Sequence, residues 1–185
     1  MPWIRTIDES SAGDDLARVY ERIRGERGKL SNIMRIQSLH PAAMQAHMDL
    51  YMAVMFQRSG ISREERELIA VVVSAANRCA YCVSHHAAAL DAYWKDEARL
   101  LKLAQDHRAV ELSPRTRAMI EYAEALTRTP GEVTEGHIQA MRDQKLTDED
   151  ILAVNLVAAY FNFVNRIALG LGVKHSEEEV GGYRY

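Results

Sequence analysis

Apolar residues along the chain recur three and four positions apart between short polar breaks, and no stretch keeps a strand-like alternation for more than a few residues. Over 14–24, Leu16, Val19, Tyr20 and Ile23 fall at helical spacing. Pro41 opens a Met-rich stretch to Phe56 in which Met44, Met48, Tyr51, Met52 and Met55 make one apolar face; proline at a first helical position suits that start. Ser62 and Glu65 then supply a capping box, and the apolar run 68–73 behind it predicts a helix entering the core. Asn77-Arg78 ends that helix, and Cys79 begins another that runs to about Tyr93. Further helices are predicted over 96–105, 114–127 and 134–143. The last strong one is capped by Thr147 with Asp150 and continues to about Leu169. Beyond it the tail is polar and Gly-rich, which predicts a C-terminal arm over 172–185, lying on the surface or making an oligomer contact. The expected architecture is therefore all-α, a single compact helical domain over 1–185.

One internal echo bears on the organisation. Ile61-Ser-Arg-Glu-Glu resembles Leu146-Thr-Asp-Glu-Asp 85 positions later, and the same offset maps Asn77 onto Asn162. It also maps Glu67 onto Leu152, Cys79 onto Val164, Cys82 onto Ile167 and His86 onto Leu171. Such a pattern fits a duplicated helical unit in which 61–93 keeps the chemistry as a helical hairpin and 146–171 is a scaffold copy. Two capped, buried helices that resemble each other by chance are the alternative.

Bulk properties narrow the function. The 185 residues are 48% hydrophobic and 26% charged, the balance of an ordinary globular chain. A formal net charge of −3 gives no basic surface for phosphate, so nucleic acid is not an expected partner. The N-terminus meets acidic residues before any apolar stretch long enough for a signal peptide, and the apolar stretch 151–171 is broken by Asn155, Asn162, Asn165 and Arg166. It reads as a buried helix, with no membrane partner and a cytoplasmic location.

The only two cysteines sit three apart. In a reducing compartment that spacing is either a redox dithiol or half of a metal site. Successive helical residues advance by about 100°, so with Cys79 at zero, Cys82 falls near roughly 300° and His86 near roughly 340°. His85, near roughly 240°, is at the edge of that face, and Tyr81, near roughly 200°, points largely away. If the helix begins at Cys79, both sulfurs occupy a first turn whose unpaired N–H groups favour thiolate. Glu67, at the mouth of a helix apolar on nearly every side, must be solvated, paired or protonated, and from a neighbouring antiparallel helix it can orient His86 or pass a proton to a thiol.

Glu67, eleven intervening residues, then Cys79-x-x-Cys82-x-x-x-His86 resembles the signature of the alkyl hydroperoxidase D family, within the carboxymuconolactone decarboxylase-like superfamily. The strings N-R-C-A-Y-C-x-x-H-H and A-Y-F-N-F-x-N-R resemble its peroxidase-related branch. The resemblance implies an all-α fold with an internal helical repeat, assembled as a homo-oligomer (trimers or hexamers), with no cofactor and no catalytic metal. It also implies that Cys82 attacks the O–O bond of a small hydroperoxide to become a sulfenic acid, that Cys79 resolves it to a disulfide, and that His86 and Glu67 relay protons. An external dithiol reductant protein, lipoyl or thioredoxin-like, would reset the pair. The chain departs from the family pattern where the hydroperoxidase has a histidine between its cysteines; here Tyr81 stands, a poor general base near neutral pH. Decarboxylase members of the superfamily lack the paired cysteines, so decarboxylation is not implied. Two other readings remain. One is a metal-stabilised helical oligomer without turnover, for which no second C-x-x-C or H-x-x-x-H supplies the missing ligands; the other is a redox sensor.

Overall fold

The computed structural model describes residues 2–181, and among them every regular element is a helix. The α-helices are α1 (Asp14–Arg27), α2 (Asn32–Arg35), α3 (Pro41–Phe56), α4 (Arg63–Ala76), α5 (Ala80–Trp94), α6 (Glu97–Gln105), α7 (Pro114–Arg128), α8 (Glu135–Asp143), α9 (Asp148–Gly170) and α10 (Glu177–Val180). The capping signals act where the sequence put them. Ser62 Oγ accepts from the Glu65 N–H at 3.1 Å while the Glu65 carboxylate accepts from the Ser62 N–H at 2.7 Å; Thr147 and Asp150 repeat the exchange at the head of α9. The short α2 and α10 escaped periodicity, since one helical turn is too short to show a period.

α4 is the hub, packed by α5, α6, α7 and α9. From Leu68 to Ser74 its side chains are buried all round, as a helix surrounded by others requires. α9 is long and apolar enough to cross a membrane by length and composition, but its buried stripe of Val154, Val157, Phe161 and Val164 lies in the core. It is a core helix, though not buried on every side: Leu152, Leu156 and Phe163 are exposed.

The two segments of the sequence echo meet. Asn77 Nδ2 donates to Asn162 Oδ1 at 2.9 Å, joining two positions that the 85-residue offset equates. The same Nδ2 donates to Asn165 Oδ1 at 2.9 Å, and Asn165 Nδ2 donates to Ser74 Oγ at 3.1 Å. Gly60 also lets the loop before α4 pass against the Asp150 carboxylate at the start of α9, where a Cβ would collide with it. The two segments differ in path: 61–93 breaks at Asn77–Cys79 into α4 and α5, whereas 146–171 runs unbroken as α9.

The C-terminal arm, as far as Gly181, lies along the surface of the bundle and is tied to it. Residues 173–181 fold back on the bundle, with Lys29 Nζ donating to the carbonyls of Glu178, Glu179 and Gly181 and Glu179 buried. Positions 182–185 lie outside the described residues.

Asn165 is fully buried and bonded to both neighbours. Asn165→Ala leaves the Ser74 hydroxyl and the Asn77 amide short of a partner, which costs about 2–3 kcal/mol. A fall in melting temperature of roughly 5–10 °C by calorimetry is expected.

Candidate active site

Where α4 meets α5 the chain turns within three residues. Asn77 closes α4, Arg78 takes a left-handed conformation (φ 58°), and the Cys79 N–H donates to the Ser74 carbonyl at 2.8 Å. Cys79 is therefore the N-cap of α5, with φ −89° and ψ 86°, and not its first helical residue. That geometry brings its Sγ to 3.0 Å from Cys82 Sγ, with both cysteines reduced and buried. A hydrogen bond from Cys79 Sγ to Cys82 Sγ joins the pair. The Cys82 thiol holds Cys79 below the usual thiol range in spite of burial, while the same contact and burial push Cys82 up.

Glu67, on the second turn of α4, has 0% of its surface exposed. Its Oε1 accepts from Arg63 Nε at 2.8 Å, and its Oε2 lies 2.6 Å from His86 Nδ1. Burial alone would raise the carboxyl, but His86 and Arg63 outweigh it and hold Glu67 below the ordinary carboxylate range. Arg63 is fixed in turn by the Met55 carbonyl at 3.1 Å and by stacking over the Phe56 ring. With Nδ1 on the carboxylate and Phe161 edge-on at 4.4 Å, the imidazole of His86 keeps Nε2 for other work.

A cavity of about 80 Å³ opens beside these groups. Cys82, His86 and Glu67 line it, as do Ile33, Met34, Met48, Phe161 and Val164; Cys79 lies behind Cys82, out of the wall. Of the four residues singled out in the sequence, three face the cavity and the fourth touches it through sulfur.

Two side chains set aside on angular grounds also line it. Tyr81 Oη donates to Glu179 Oε1 at 2.8 Å and accepts from the Ile33 N–H at 3.1 Å. His85 turns back along α5, placing Nδ1 2.8 Å from the Tyr81 carbonyl and Nε2 2.7 Å from Glu179 Oε2, its ring 4.3 Å from that of Tyr81. Tyr81, expected to point largely away, and His85, expected at the edge of the cysteine face, both reach the cavity: the helical wheel fixes where a Cβ points, not where a two-torsion side chain ends. Glu179, which also accepts from the Asn32 N–H at 2.9 Å, had no signal in the sequence; it comes from the tail, 98 positions beyond Tyr81. His175, edge-on to both rings at about 6 Å, completes the cluster. Among the described residues no group of three or more His, Cys, Asp and Glu side chains is arranged to hold a metal ion.

Residues 41–100, which span α3, α4 and α5, match the carboxymuconolactone decarboxylase family model. The fold is similar to that of a peroxidase-related protein with an alkylhydroperoxidase AhpD core from Ralstonia eutropha JMP134, at 28% identity and TM-score 0.87 over 97% of this chain and 94% of that one. A peroxidase-related protein from Silicibacter sp. TM1040 is 29% identical, with TM-score 0.83 over 93% and 90%. By sequence the chain is similar to protein YdfG of Bacillus subtilis, 26% identical over 143 residues, covering 77% of this chain and 96% of that one.

Burial raises the Glu179 carboxyl, but His85, the Asn32 N–H and Tyr81 overcome it and bring it down to about 2, below the 4.5 of an unfolded carboxyl. Because the folded value is depressed, this stabilisation is complete above about pH 4.5 and drains away as pH falls toward 2. Glu179→Gln is expected to lower the melting temperature near pH 7 and to flatten its fall between about pH 4.5 and 2; an unchanged acid limb would exclude the tail carboxylate from this role.

Proposed function

In a chain that carries a carboxymuconolactone decarboxylase family domain on an all-helical AhpD-like fold, we propose that Cys79 and Cys82 form a redox dithiol that reduces small organic hydroperoxides. One observation carries this reading: two reduced sulfurs 3.0 Å apart, one of them on the wall of a small, largely apolar cavity that it shares with a carboxylate-bound imidazole. An AhpD-like, peroxidase-related kinship supports it and makes an antioxidant role the coarse expectation.

Each residue then has a task. Cys82 gives its proton to the His86–Glu67 pair, so the cavity-facing sulfur becomes the nucleophile, with the Cys79 thiol hydrogen-bonded to it. Cys82 Sγ attacks the outer oxygen of ROOH; an S–O bond forms, the O–O bond breaks, and the departing alkoxide leaves as ROH with a proton supplied through His86. Cys79 then gives its own proton to the His86–Glu67 pair and attacks the Cys82 sulfenic acid. The S–S bond closes, and hydroxide leaves with that proton as water. Glu67 keeps the imidazole in place during each transfer. A dithiol reductant, lipoyl or thioredoxin-like, restores both thiols by disulfide exchange and leaves oxidised. Assembly as a homo-oligomer (trimers or hexamers) belongs to the same reading, with the exposed Leu152, Leu156 and Phe163 of α9 as contact; light scattering of the full chain tests it.

Cys82→Ser is expected to abolish turnover of cumene hydroperoxide, whereas Cys79→Ser still gives one stoichiometric oxidation, trapped by dimedone as a sulfenic acid. Equal residual turnover in the two variants overturns the assignment of roles. Glu67→Gln is expected to slow the first oxidation by roughly a hundredfold in single-turnover mixing.

A further inference from the structure

A second hydrogen-bonded line reaches the same cavity without using the cysteines, Glu67 or His86. It starts at Gln37, just after α2. The Gln37 amide atom 2.7 Å from the Ile33 carbonyl oxygen must be the nitrogen, since an oxygen there would face another acceptor. That same nitrogen lies 2.7 Å from His47 Nδ1. An NH₂ group offers only protons, so Nδ1 must be the bare, accepting nitrogen of the ring. Burial holds His47 down to about 4, so near neutral pH the imidazole is uncharged and its single proton sits on Nε2. Nε2 is 2.8 Å from Tyr160 Oη and donates to it.

The tyrosine is left with one proton to give. Tyr160 lines the cavity together with Cys82, and among the described residues nothing accepts that proton. Burial, with Tyr51 and Cys82 adding to it, raises the phenol well above its ordinary value, so it stays a donor. The tyrosine belongs to the A-Y-F-N-F-x-N-R string, which had no chemical role on the sequence alone.

We propose that Tyr160 is a catalytic hydrogen-bond donor fixed on a substrate oxygen in the cavity, and that Gln37 and His47 are positioning residues that set the direction of its proton. The choice of oxygen rests on the peroxidase reading: it is the alkoxy oxygen of ROOH, on which negative charge grows as the O–O bond breaks. Tyr160 lends a hydrogen bond there and keeps its proton. Preorganised donors at such a position are worth far more than in water. The line also gives the cavity a preference: among small apolar molecules it selects those carrying an acceptor oxygen.

The test uses the reduced full chain and two probes of similar shape, 2-phenylpropan-2-ol and cumene, which lacks the hydroxyl, in NMR titrations of wild type and Tyr160→Phe. Wild type is expected to prefer the alcohol, and Tyr160→Phe to weaken alcohol binding roughly tenfold while cumene binds unchanged. No alcohol preference in wild type, or an equal loss for both probes, overturns the donor assignment. Single-turnover oxidation by cumene hydroperoxide is expected to slow roughly ten- to a hundredfold in Tyr160→Phe; an unchanged rate overturns the catalytic role. If Tyr160 controls alcohol binding but wild type oxidises no hydroperoxide, the peroxidase reading fails and the donor assignment stands. Gln37→Leu keeps the phenol and frees the His47 tautomer, so it is expected to reduce the alcohol preference two- to fivefold and serves if Tyr160→Phe fails to fold.

Discussion

A carboxylate with no exposed surface, set in the central helix of the bundle, is the constraint around which the site is arranged. Taking such a group out of water costs several kcal/mol, which close hydrogen-bond donors and opposite charge must offset. Glu67 meets that demand with Arg63 one turn earlier and His86 from the next helix. Arg63 reaches back to the Met55 carbonyl and the Phe56 ring, so one buried charge ties the end of α3, the start of α4 and the middle of α5 together. The orientation of the His86 ring follows from this. Its Nδ1 belongs to the carboxylate, and only Nε2 remains for chemistry at the cavity.

Much of this was legible in the sequence because it is local. Caps at Ser62 and Thr147, prolines at Pro41 and Pro114, and the break at Asn77-Arg78 are short-range signals, and the helices follow them to within a residue or two. The Glu67–His86 contact was legible for a different reason: consecutive helices joined by a tight turn must pack antiparallel, which brings two positions 19 apart within reach. What escaped was long-range or depended on side-chain torsions. Glu179 approaches Tyr81 from 98 positions away, and no periodicity announces it. His85 was placed only at the edge of the cysteine face, but its side chain folds back to the Tyr81 carbonyl and ends on Glu179. Cys79 was counted as helical, but it caps α5 from outside, and the sulfurs meet because of the cap rather than the helical pitch.

The cavity is bordered by hydrogen-bond lines of different character. Glu67 with His86, and Glu179 with His85, set carboxylates against imidazoles. Gln37, His47 and Tyr160 form a neutral line whose order is fixed by one backbone carbonyl at Ile33. Ile33 also gives its N–H to Tyr81. A single peptide residue of the one-turn helix α2 therefore anchors groups on two sides of the site, which explains why so short a helix is held firmly in the core.

The Lys29 clamp on the tail works through main-chain oxygens of Glu178, Glu179 and Gly181. A peptide carbonyl is the same whatever side chain the residue carries, so the ammonium measures spacing along the chain and ignores identity. Drift at 178, 180 and 181 would pass unnoticed, whereas one residue gained or lost before Glu179 would carry its carboxylate off His85 and Tyr81. In such a segment it is length, more than composition, that inheritance has to preserve.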